Sequence, residues 1–227
     1  MAEHHPKTIQ DLANRFAEHG VSFGRMADAK MPFTRPTKSE ALAQGLHVRL
    51  AAVLLTLIPS QGQWCLVLMK RPEYPGVHSG QISIPGGEVE AEDTDDLSTA
   101  LREFEEEMGV MVSRDDVIAD LTERYIPPSN FAVKPFIAVL DRMPMWKVDS
   151  KEVAEVVVVP VADLLPDDAL RNTAIKMGKD QNQEIQLPAY RFEDHIIWGA
   201  TAIMLAEFVA AWKKTFPDPV ATALDVR

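Results

Sequence analysis

Apolar residues recur along this chain in two rhythms, and the changes of rhythm mark its elements. Between residues 7 and 20, Ile9, Leu12, Ala13 and Phe16 share one helical face, and Gly20 ends the pattern. Residues 21–46 show little periodicity around Met31-Pro-Phe-Thr-Arg-Pro-Thr and read as an irregular arm, packed on the domain or crossing to a second subunit. From Val48 to Pro59 the chain is almost continuously apolar, Arg49 and Thr56 aside, which suits a buried strand. Ser60 to Gln63 is a turn, and Trp64 to Met69 a second apolar run. Together they predict a hairpin in a mixed sheet. Gln81 to Ile84 is a shorter run that meets a tight turn at Pro85, Gly86 and Gly87.

An acidic loop follows, and the rhythm turns helical. Leu97, Ala100, Leu101, Phe104 and Met108 form one stripe, Asp93 to Asp96 offer N-caps, and Gly109 is the stop. Val117 to Thr122 reads as a strand, and two further strands flank the loop at 127–130. Glu152 to Leu165 predicts a strand running into a short helix. Residues 166–183 are polar and charged and read as a mobile loop, and Gln186 to Phe192 as a strand. Ile196 to Trp212 predicts a strongly apolar helix, and the tail after Lys214 a loose end. Interleaved strands and helices give an α/β (α+β) class. The expected organisation is a single domain, with a helix and arm over 1–46, the main body over 47–214 and a tail over 215–227.

Composition narrows the partners. The 227 residues carry a net charge of −11, which argues against nucleic-acid or membrane-surface binding. A phosphate substrate stays open, because bound cations reverse a local field. Cys65 is the only cysteine, so no intrachain disulfide forms, and its apolar setting makes it a core residue. The start lacks a signal-peptide pattern and no apolar stretch reaches the roughly 18 residues of a membrane span. A cytoplasmic location is the expectation.

Chemistry concentrates on the acidic helix. Glu103, Glu106 and Glu107 stand at i, i+3 and i+4, which gathers three carboxylates on one face, Glu107 nearest the apolar stripe. Arg102 is the only Lys or Arg between Arg71 and Arg114, so the helix cannot neutralise itself. A hard divalent cation, Mg²⁺ or Mn²⁺, would do so; a solvated acidic face is the alternative. The glycine pair ahead of the helix lets backbone approach a ligand closely.

These residues carry a resemblance. Gly87, followed by Arg102-Glu103-Phe104-Glu105-Glu106-Glu107-Met108-Gly109-Val110, resembles the signature box of the Nudix hydrolases. Asp93 stands six residues after Gly87 and nine before Arg102, so the acid is shorter than the usual Glu and the loop one residue longer. His78-Ser79-Gly80-Gln81, Ile84-Pro85-Gly86-Gly87, Thr99-Ala100-Leu101-Arg102-Glu103 and Trp198-Gly199-Ala200-Thr201-Ala202 are similar to the coenzyme A pyrophosphatase branch, which shares the longer spacing. Pro72 and Gly76 depart from that branch, which usually has Ser or Ala and a second Arg there.

The resemblance covers roughly residues 48–212 and implies the Nudix fold, a mixed β-sheet sandwiched between α-helices. It implies metal-dependent hydrolysis of a pyrophosphate linkage in a small nucleotide substrate, coenzyme A or its derivatives. ADP-ribose or nucleotide sugars are the alternative, and a non-catalytic nucleotide-binding regulator a further one. Glu103, Glu106, Glu107 and the Gly87 carbonyl would hold Mg²⁺ or Mn²⁺, and Arg102 would orient the glutamates. The general base stays open between Glu106, Glu107 and a carboxylate from a later loop. Arg71, His78, Gln81, Tyr125, Asn130 and Lys134 are the candidate substrate contacts, with surface charge or ordinary loop packing as their alternative. The family also allows a homodimer.

Overall fold

One strand organises the sheet. In the computed structural model, which describes residues 9–19, 36–73, 79–127, 129–177 and 183–217, β1 (Arg49–Ser60) pairs with three others. Its end folds back on β2 (Gln63–Lys70) in antiparallel register from Thr56↔Val67 to Ser60↔Gln63, through Gln61 and Gly62 at positive φ. Its start holds β4 (Gly86–Glu88), Ala51 opposite Glu88 and Val53 opposite Gly86. Along its other edge runs β7 (Phe131–Val139), parallel, from Arg49↔Phe131 to Leu57↔Val139. Outward lie β3 (Ile82–Ser83) and β8 (Glu155–Pro160) on β2, and β5 (Val117–Asp120) and β6 (Arg124–Ile126) on β7, all antiparallel. This is the mixed sheet that the sequence led us to expect.

Alternation along β1 sends its side chains to two cores. Ala52, Leu54 and Ile58 pack on Ala100, Phe104 and Met108 of the acidic helix, here α3 (Asp96–Met108). Ala51, Val53, Leu55 and Leu57 face the core that holds α1 (Ile9–His19) and the C-terminal helix α5 (Gly199–Thr215). Phe16 of α1 meets Trp212 of α5 edge-on at 6.2 Å. Helix α5 is buried almost all round, as a helix without a polar face must be. Glu207 is its one buried charge. At 0% exposure it accepts from the Thr122 backbone N–H (3.0 Å), the Thr122 hydroxyl (2.6 Å) and Arg124 (2.8 Å), tying α5 to β6.

The structure departs from the sequence expectations at four places. Within the supposed irregular arm stands α2 (Lys38–Ala43), nucleated by a capping box between Thr37 and Glu40; residues 20–35 lie outside the described ones. The glycine pair expected as a turn is the strand β4, because β1 offers a partner that outweighs the poor strand propensity of glycine. The polar stretch 166–183 is largely not a loop. After α4 (Val161–Leu164), β9 (Arg171–Met177) pairs with β10 (Gln183–Phe192), and only Thr173 and Ile175 of its described side chains are buried. Last, Ile196 and Trp198 do not begin the helix. They belong to β11 (His195–Trp198), and Gly199, at φ 66°, turns the chain into α5.

Candidate active site

Helix α3 is fixed at both ends. Asp95 accepts from the Ser98 N–H (2.7 Å) and Ser98 reaches back to the Asp95 N–H (3.0 Å). At the other end Gly109 adopts φ 66° and donates to the Glu105 carbonyl (2.8 Å), and a side chain there would strike the Lys147 carbonyl. Between them Arg102 is a hub. It grips Asp93 with Nε (3.0 Å) and Nη2 (2.9 Å), and donates to the Glu88 carbonyl (3.1 Å), Glu103 (2.9 Å) and Glu106 (3.2 Å). The shorter acid on the longer loop therefore still reaches its arginine.

This pair makes a pH prediction. Asp93, 4% exposed, has its carboxyl held well below the usual range, first by Arg102 and then by the Glu90 N–H and Thr99 hydroxyl, against the effect of burial. The folded value lies below the unfolded one, about 3.9. The contact therefore stabilises above that pH and is lost as pH falls below it. We expect Asp93→Asn to be about 2 kcal/mol less stable than the natural protein at pH 7 by urea denaturation. The gap should hold to about pH 5 and narrow by roughly 1 kcal/mol between pH 4 and 3. A gap unchanged at pH 3 would refute the assignment.

The two glycines of β4 open its two faces. Gly87 points toward α3, and any Cβ there would overlap the Glu103 carboxylate at 2.3–2.5 Å. Gly86, at φ 144°, donates its N–H to Glu107 (2.8 Å). Glu107 is buried to 1% exposure and its pKa is pushed up to about 8, mainly by burial, with the Glu103 and Glu152 charges adding and the Gly86 N–H and Arg71 opposing. Glu103 is also raised, by burial first, with Glu106 and Glu152 adding and Arg102 opposing. Glu106 is the exposed member, at 60%.

Among the described residues, no three His, Cys, Asp or Glu side chains converge tightly enough to enclose an ion in this conformation. The donor set nevertheless fits a hard divalent cation. All its atoms are carboxylate or carbonyl oxygens, and a buried carboxylate with a raised pKa beside two others is a site short of positive charge.

On the opposite face of the β1–β4 pair lies a cavity of about 480 Å³. Arg71, Gln81, Gly86 and Gly87 line it, closed by Trp198 and the first turn of α5. A second cleft, about 430 Å³, shares Gln81, Ile82 and Trp198 with it. Of the expected substrate contacts, Arg71 and Gln81 are therefore brought to the glycines of β4, and His78 lies outside the described residues. Tyr125, Asn130 and Lys134 stand outside the cavity lining. Tyr125 is 4% exposed and its hydroxyl donates to Asn130 (2.7 Å), which shapes the loop at φ 57°. Lys134 pairs with Asp120 and the Leu121 carbonyl (2.9 Å). Their neighbours Ile126, Phe131 and Val133 line the cavity instead, one step along in the alternation of β6 and β7, and Ser129 lines it from the loop between them.

Two residues escaped the sequence reading. Arg49 lines the cavity mouth; its one signal was a charge inside an apolar run. Glu152 acts electrostatically on both Glu103 and Glu107, and its loop is held to α3 where the Asp149 N–H donates to the Glu107 carbonyl (3.0 Å). No local pattern announces it.

Comparison with known proteins bears on the family and the fold. The NUDIX domain family model matches residues 48–180, more than half of the chain. "Nudix hydrolase 15, mitochondrial" of Arabidopsis thaliana is 32% identical over 175 residues, 75% of this chain and 60% of the relative. "Mitochondrial coenzyme A diphosphatase NUDT8" of Homo sapiens is 32% identical over 157 residues, 68% of this chain and 65% of the relative. The chain thus spans less than two thirds of these relatives' length. "Uncharacterized Nudix hydrolase NudL" of Salmonella paratyphi B is 30% identical over 71% of this chain and 82% of the relative. A solved MutT/nudix family protein of Enterococcus faecalis shares the fold, with a TM-score of 0.52 at 14% identity over 94% of this chain and 78% of that one. No described helix is long and apolar enough to cross a membrane. Family model, relatives and fold converge, and this chain belongs to the Nudix hydrolase family.

Proposed function

We propose that the chain is a pyrophosphohydrolase of nucleoside diphosphate derivatives, with coenzyme A or its derivatives as the preferred substrate. The observation that carries this reading is Glu103 and Glu107 turned onto the Gly86–Gly87 backbone, with Arg102 locked behind them and a cavity on the far side. Glu103, Glu106, Glu107 and the Gly87 carbonyl would hold Mg²⁺ or Mn²⁺. The ion, when bound, neutralises phosphate oxygens and lowers the pKa of a bound water. Arg102 keeps the glutamates aimed, and Arg71 meets diphosphate oxygens from the cavity side. Glu107 is fixed by the Gly86 N–H, and Glu106 and Glu152 are the exposed carboxylates able to accept the proton of the attacking water.

The human relative, named a coenzyme A diphosphatase, supports coenzyme A, and the second cleft supports a substrate with an arm beyond the diphosphate. Gly76, where the branch usually carries a second Arg able to meet phosphate, keeps ADP-ribose or a nucleotide sugar as the second reading. A panel with Mg²⁺ and Mn²⁺, resolved by chromatography, tests this. Coenzyme A should be cleaved fastest, to adenosine 3′,5′-bisphosphate and 4′-phosphopantetheine, and excess EDTA should abolish turnover. Faster cleavage of ADP-ribose would select the second reading, and no cleavage of any member would make the chain a binding protein.

A further inference from the structure

At the mouth of the 480 Å³ cavity, Arg49, Glu88 and Phe131 form one cluster. Arg49 opens β1, its N–H donating to the Asn130 carbonyl (2.9 Å), and stands opposite Phe131 in the parallel ladder. Its side chain shares the face of Ala51 and Val53, the cavity face. Glu88 takes the guanidinium in a fork, Nε at 2.8 Å and Nη2 beside it, and Phe131 takes one face, with the guanidinium carbon 4.1 Å from the ring centroid. Carboxylate and ring together hold the plane still. Arg49 remains 45% exposed and Glu88 43%.

The chemistry decides what such a group meets. Glu88 cancels the charge of Arg49, so the pair is a poor phosphate site, and among the described lining residues Arg71 is the cation left for that task. A fixed, flat, weakly hydrated cation is instead a stacking surface for heteroaromatic rings. Glu88 adds a carboxylate at its edge, an acceptor suited to an exocyclic amine. Gly86 and Glu88 are two strand residues apart, about 7 Å, which leaves room for a ribose between base and diphosphate. We propose that Arg49, stacked on Phe131 and oriented by Glu88, is the specificity-determining platform on which the substrate's purine base lies. The proposal rests on the nucleoside diphosphate reading and says which end of the cavity takes the nucleoside.

Calorimetric titration with ADP and with methylenediphosphonate, both with Mg²⁺, separates base from phosphate. Arg49→Met and Arg49→Lys should each weaken ADP about tenfold and leave methylenediphosphonate within twofold; Phe131→Leu, which removes the ring beneath, should do the same. Recovery of ADP affinity in Arg49→Lys would make Arg49 a point charge for phosphate and overturn the proposal. Equal losses for both ligands, or none for either, would overturn it too. The functional reading fails by a different result, a natural protein that cleaves nothing in the substrate panel.

Discussion

Glu106→Gln should lose about a thousandfold in turnover, roughly 4 kcal/mol of barrier, at saturating Mg²⁺. Its thermal midpoint should stay within a degree or two. The side chain is 60% exposed, and among the described residues its one close polar contact is Arg102 at 3.2 Å. An exposed ion pair contributes under about 1 kcal/mol. Arg102 keeps Asp93, Glu103 and the Glu88 carbonyl when Glu106 is neutralised, so the helix stays in place. What disappears is one of the three charges that the proposed ion needs. Glu105→Gln, one position back and exposed on the same helix, is the control and should be near normal. A Glu106→Gln enzyme with natural turnover would remove the carboxylate face from the mechanism.

The other large effect is on stability. Glu207→Ala should cost about 3–5 kcal/mol, because it deletes a buried carboxylate and leaves Arg124 and Thr122 without that acceptor. For a chain of this size that lowers the melting temperature by roughly 10 °C. The damage falls beside the cavity, since Glu207 joins β6, which carries Ile126, to α5, which carries Thr201 and Met204. Replacing both partners, Arg124→Met with Glu207→Met, should recover most of the loss, because two apolar groups leave no orphaned charge. Calorimetric melts of Glu207→Ala and of the double variant, each beside the natural protein, test the pair. A single variant that melts with the natural protein would show the network to be dispensable.

How much of this was legible beforehand depended on whether the cause was local. Helix α3 was readable because Ala100, Phe104 and Met108, the cap at Asp95 and the stop at Gly109 all lie within one short stretch. The same spacing put Glu107 at the edge of the apolar stripe, and it is buried. The strand β4 was not readable, because Gly86 and Gly87 gain their pairing from residues more than thirty positions earlier. Strand β9 was missed for the same reason: its polar residues become a strand only against β10. Tyr125, Asn130 and Lys134 fail to line the cavity by a single step of alternation. A loop sequence indicates which residues stand near a site, and the phase of the strand decides which of them face it. Arg49 draws its meaning from Glu88, 39 residues away, and from Phe131 further on.

The parallel ladder between β1 and β7 carries a cost in time. Arg49 must find Phe131 and Leu57 must find Val139, so a long loop closes before the central pair contributes any hydrogen bond. On a ribosome the whole signature helix emerges before its sheet can be completed. The nascent chain therefore holds the apolar face of β1, Ala51 through Ile58, without its final neighbour until Val139 has left the exit tunnel. Chaperone demand during synthesis should peak over that interval and fall once β7, the parallel partner, arrives.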